Sequence, residues 1–93
     1  MRVEIRGQGV ELNEAARGRL DRRVDFALGR LGAGVARVWV HLADTGQAML
    51  CRVLVRLSGR PDVLVEGADA DLGRLIDSTL HKAGLAARRS LLN

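Results

Sequence analysis

At 93 residues, the chain has room for one core and is expected to form one domain over residues 1–93, since a chain this short buries only about 60–65% of its unfolded surface. It has no run of about 18 apolar residues, which excludes a helical membrane span, and its lone cysteine, Cys51, excludes an internal disulfide and suits a reducing, cytoplasmic setting. The net charge is +4, and every basic residue except Lys82 is arginine, whose planar fork grips phosphate; a polyanion is therefore the expected partner.

The opening MRVEIRGQGVEL alternates and lacks the apolar stretch of a signal peptide. Residues 2–6 place Val3 and Ile5 on one face, the pattern of a half-buried strand that Gly7 to Gly9 interrupt. Asn13 is a helix cap, followed by Glu14 in the first turn. Ala16, Leu20, Val24, Ala27 and Leu31 recur at spacings of three and four, so residues 13–31 read as an amphipathic helix that Gly32 and Gly34 end. Residues 35–43 alternate again, DTGQ (44–47) turns, and residues 49–57 alternate with Cys51, Val53, Val55 and Leu57 on one face. SGRPD (58–62) turns the chain into a short strand, 63–67. Asp69 or Asp71 then caps a second helix with Leu72, Leu75, Ile76, Thr79, Leu80, Ala83 and Ala87 as its apolar stripe. The order β-α-β-β-β-α predicts an α+β fold: a four-stranded sheet, its first two strands parallel, with both helices packed on one face.

On the first helix, Arg19, Arg22, Arg23, Phe26 and Arg30 fall on one flank of the apolar stripe, and Asp21 and Asp25 fall on the other. Like charges at i, i+4, such as Arg19–Arg23 and Asp21–Asp25, cost about a few tenths of a kcal/mol each. A helix kept for stability alone gains from alternating signs, so the segregation points toward a binding flank. Phe26 suits either packing under a loop or stacking on a base. The second helix sets Arg74, Ser78, His81, Lys82, Leu85, Arg88 and Arg89 opposite its stripe, with Asp77 the one opposing charge. Arg88 and Arg89 also complement the helix dipole. Side by side, the two helices would present a basic surface. The outer sheet face, with Arg37, Trp39, His41, Arg52, Leu54, Arg56 and Leu64, suits a homodimer contact or a nucleic-acid strand.

Parts for catalysis are scarce. His41 and His81 lack companions at metal-ligand spacing. Cys51 lies mid-strand among apolar residues, the setting of a structural thiol. Asp69, Asp71 and Asp77 lack a calcium-loop pattern. Gly7-Gln8-Gly9 follows a strand, but Leu12 stands where a dinucleotide fingerprint needs its third glycine. No enzyme, metal or cofactor is expected.

The stretch IRGQGVELNEAAR, with Ile5, Gly7, Val10, Glu11, Leu12, Ala15 and Arg17, resembles the opening pattern of the ribosome hibernation-promoting factors, also called ribosome-associated inhibitors or sigma-factor modulation proteins, in their short form. Leu20, Arg23 and Val24 continue that pattern, and EGADADLGRLIDSTLHK resembles the family's segment before and into its last helix, with Glu66, Asp71, Ile76, Asp77 and Lys82 at matching places. Gly73 stands where the family usually has an aromatic residue. The resemblance implies a cytoplasmic protein that binds ribosomal RNA of the small ribosomal subunit and blocks translation in dormancy or stress. Arg23 and Lys82 are the basic residues it carries over by position. Arg19, Arg22, Arg30, Arg74, Arg88 and Arg89 join them as candidate RNA contacts from the helical wheel alone. The alternative expectation is a divergent paralogue that acts as an interaction or dimerisation module through the sheet face around Trp39, Leu54 and Leu64.

Overall fold

The computed structural model describes residues 1–92. Strand β1 (Arg2–Gln8) is followed by helix α1 (Glu14–Leu28) and a tight 3₁₀ segment (Gly29–Gly34). Strands β2 (Val35–Asp44), β3 (Met49–Leu57) and β4 (Val63–Asp69) and helix α2 (Leu72–Leu92) complete the chain. The sheet order is β1-β2-β3-β4, with β1 parallel to β2 and the other pairs antiparallel. The expected β-α-β-β-β-α order and its parallel first pair are therefore what the chain adopts.

Three element ends and one strand register differ from the sequence reading, each for a local reason. β1 continues through Gly7 and Gln8, which pair with Leu42 and Ala43; an available partner strand outweighs glycine's poor strand preference. The α-helix stops at Leu28 rather than Leu31, because Gly29 is a weak helix former and the chain tightens there. β4 runs on to Asp69, which pairs with Met49. In β2 the register shifts between Val35 and Arg37, so Val35 and Val38 both face inward. An inserted residue of this kind bends the strand and breaks the simple alternation.

The caps account for the helix starts. Asn13 Oδ1 accepts the Ala16 N–H at 2.9 Å. Of the two candidate caps for α2, Asp71 fills the role, its Oδ1 accepting the Arg74 N–H at 2.9 Å, while Asp69 Oδ1 accepts the Asp71 N–H.

The core lies between the sheet and the helices. Val38, Val40, Leu42, Cys51, Val53, Val55 and Leu57 of the sheet meet Leu20, Val24 and Leu28 of α1 and Leu75, Ile76, Leu80, Ala83 and Ala87 of α2. The buried row of α1 thus runs 20–24–28, and Ala27 and Leu31 are only half-buried. Among the described residues Thr79 is the one buried polar residue; its hydroxyl makes no well-aligned hydrogen bond and approaches the Cys51 thiol. It packs on Gly67, where a β-carbon would lie 2.4 Å from Thr79 Oγ1. Cys51, opposite Gly67 in the sheet, is fully buried, and burial pushes its thiol up to about 11.

Candidate nucleic-acid interface

The two helices run in the same direction. Arg19 reaches Gly73, Arg23 meets Asp77, Ala27 abuts Gly84 and Gly34 abuts Leu91. The closest approach is at Gly84, where a β-carbon would lie 2.7 Å from the Ala27 carbonyl oxygen. Small residues at these two positions let the backbones touch. Above that contact the longer side chains splay apart and leave an open groove of about 1230 Å³.

Five arginines line the groove, Arg19, Arg23, Arg30, Arg74 and Arg88, against two aspartates, Asp71 and Asp77, so three positive charges stand in excess. Arg22, Lys82 and Arg89 are exposed but lie outside the lining. The eight candidate residues are therefore not equivalent. Arg23 Nε sits 3.0 Å from Asp77 Oδ1, an ion contact without hydrogen-bond alignment. Arg74 is held by both oxygens of Asp69, with Nε–Oδ2 and Nη2–Oδ1 each at 2.8 Å. That fork keeps the Asp69 carboxyl well below the usual carboxylate range and raises Arg74. Among the described residues, Arg19, Arg30 and Arg88 have no carboxylate partner. The Arg19 guanidinium lies beside Gly73, in space that any side chain there would contest. Phe26 does not pack under a loop: it is 68% exposed, with the Arg30 guanidinium carbon 5.7 Å from its ring centroid.

The outer sheet face is organised differently. Arg37 is bonded to Glu4, Arg56 lies 3.5 Å from Asp62, and Arg52 lies 3.7 Å from Glu66. Arg37 and Arg56 also flank the Trp39 ring, at 4.6 and 5.1 Å from its centroid. Arg37, Arg52 and Arg56 thus each face a carboxylate, whereas among the described residues Arg6, which lines the same hollow as Trp39, has none, as Arg19, Arg30 and Arg88 have none in the groove. Among the described residues no group of three His, Cys, Asp or Glu side chains could hold a metal ion, and no helix is long and apolar enough to cross a membrane.

No family model and no curated protein matches the sequence. Solved structures do match. A ribosomal subunit interface protein from Coxiella burnetii superposes with a TM-score of 0.87 over 100% of both chains, at 15% identity. The N-terminal domain of Protein Y from Thermus thermophilus gives 0.84 over 96% of this chain and 98% of that one, at 26% identity. The resemblance to the ribosome hibernation-promoting factors holds in three dimensions.

Within this hibernation-factor fold, the residues that sequence resemblance carried over are not the most available ones. Arg23 is engaged by Asp77, and Lys82 lies outside the groove lining. Of the residues that shape the groove, the sequence reading took Ala27 as part of the apolar stripe and Gly73 as a departure from the family, and it missed Gly84, because a small residue carries no chemical signal of its own. The Asp69–Arg74 fork had a signal, an acidic residue five positions before an arginine across a helix start. The Arg23–Asp77 contact had none, since it depends on the relative placement of two helices.

Proposed function

We propose that this chain is a non-enzymatic cytoplasmic factor that binds the small ribosomal subunit through ribosomal RNA and holds translation off during dormancy or stress. The observation that carries the reading is the arginine groove: Arg19, Arg30 and Arg88, with no carboxylate partner among the described residues, line one continuous channel with three positive charges in excess. The ribosomal association named for the Coxiella burnetii neighbour supports the choice of polyanion. RNA phosphates would seat against the groove arginines, while Arg22, Lys82 and Arg89 extend the basic surface beyond it. Occupancy alone would suffice to inhibit, since a folded plug in an RNA channel excludes other ligands without any bond being made or broken.

Co-sedimentation with purified subunits over a range of salt tests this. Binding to the small subunit should weaken with a log–log slope of roughly −0.7 to −0.9 per phosphate neutralised. A flat salt response, or sedimentation with the large subunit alone, overturns it.

A further inference from the structure

We infer that the Phe26 corner of the groove is a base-binding subsite, which takes one unstacked nucleobase of a single-stranded segment. This deepens the polyanion reading above and rests on it.

Phe26 is the only phenylalanine in the chain and projects from the polar flank of α1, 68% exposed. Leaving a ring of that size in water forgoes about 1.5–3 kcal/mol of burial, and among the described residues no loop or neighbouring element covers it. Arg30, one turn on, holds its guanidinium carbon 5.7 Å from the ring centroid, near the outer limit of a cation–π contact. The ring is thus flanked by a cation but not covered by it. Leu85, 48% exposed, lines the same groove from α2, next to the Gly84 that packs on Ala27. Phe26 and Leu85 therefore bring apolar surface to one level of a channel otherwise lined with arginine, and Arg88 lies one turn beyond Leu85.

The chemistry of the occupant follows from that combination. Excess positive charge along the groove calls for repeated negative charge. Exposed apolar surface at one point calls for a flat, weakly polar group attached to that charged backbone. A single-stranded nucleic acid has both, and its bases are free to leave the stack. A regular duplex offers phosphates but keeps its bases paired inside, so it would leave Phe26 and Leu85 in water. Stacking on an aromatic side chain is tolerant of base identity, because every base has a π-face.

The test compares an oligouridylate of about 12 nucleotides, within the span of single-strand sites, with an abasic ribose-phosphate strand of the same length. The unmodified protein should bind the base-bearing strand about tenfold more tightly. Phe26→Ala should abolish that preference and leave binding of the abasic strand unchanged; Phe26→Tyr should restore it. Because Phe26 is exposed, neither variant threatens the fold, and unchanged circular dichroism would verify this. Equal affinity of the unmodified protein for the two strands overturns the subsite while leaving the phosphate reading intact. Retention of the preference by Phe26→Ala overturns it too. Failure to bind either strand at low salt overturns both readings. If Phe26→Ala weakens subunit binding but not oligonucleotide binding, the ring contacts a protein, and the base subsite is wrong.

Discussion

Arg23 on α1 and Asp77 on α2 meet across the inter-helix groove, Nε to Oδ1 at 3.0 Å, with both side chains roughly half exposed. The contact ties the helices together at one level and withdraws a positive charge from the groove. Asp77→Asn should release Arg23 and raise affinity for a polyanion several-fold. An exposed ion pair is worth about 1 kcal/mol or less, so the melting temperature should fall only slightly. Small-subunit co-sedimentation at fixed salt, beside a thermal melt, checks both halves. Weaker binding by Asp77→Asn would mean that the aspartate itself orders the ligand side of the groove.

The groove arginines and the outlying ones should separate by charge reversal. Arg19→Glu with Arg88→Glu strikes two residues that line the groove without a carboxylate partner among the described residues. Arg22→Glu with Arg89→Glu changes the net charge equally outside the lining. The first pair should cost far more affinity and lower the salt slope by about one for each phosphate the protein no longer neutralises. Asp21→Asn with Asp25→Asn, on the opposite flank of α1, should leave binding unchanged or slightly tighter. Effects that track net charge alone, whatever the position, would reduce the groove to a solvated basic face.

The start of α2 should be acid-sensitive. Hydrogen bonds from Arg74, then from the Asp71 N–H, hold the Asp69 carboxyl below its ordinary range. A depressed folded value stabilises the fold above the unfolded carboxylate value of about 3.9, and that contribution is lost as pH falls below it. Asp69→Asn should flatten this acid limb in a pH series of denaturant melts. Asp71→Ala removes the cap itself and should cost about 0.5–2 kcal/mol at neutral pH.

Cys51 should behave as a packing residue. Burial raises its thiol to about 11, so in the folded protein it stays neutral where an unfolded chain, with an ordinary thiol near about 8.5, ionises. The unfolded state then binds fewer protons, and stability should fall as pH rises from the ordinary thiol range toward 11. Cys51→Ala should remove that alkaline slope. Native-state labelling by a thiol reagent should be slow and limited by unfolding; rapid labelling would place the thiol outside the core.

The fold was legible because its periodicities are clean. Val38, Val40 and Leu42 against Arg37, Trp39 and His41 mark a strand face, and Leu75, Ile76, Thr79, Leu80, Ala83 and Ala87 all lie buried as the helical pattern required. What periodicity could not see was a change in backbone geometry. The bulge at Val35–Arg37 and the tightened turn after Leu28 each shift which residue faces inward. The candidate site was legible only as a flank. Helical spacing grouped Arg19, Arg23 and Arg30, but that Arg23 alone of the three meets a carboxylate depends on Asp77, which approaches from another helix.

The packing of Thr79 on Gly67 has a consequence for how this sequence can change. A methyl group added at position 67 would collide with Thr79 Oγ1 at 2.4 Å, whereas the Thr79 β-carbon itself stands 3.6 Å away. Thr79→Ala, made first, removes the hydroxyl that fills this space, at the cost of its packing and of its approach to the Cys51 thiol. Gly67→Ala then meets Leu75 Cδ1 at 3.3 Å, a close contact that only a small shift of that side-chain end relieves. In the reverse order, the intermediate sequence carries an overpacked core, a cost of about 1–3 kcal/mol. The two positions are coupled, and the path between one sequence and the other is less steep in one order than in the other.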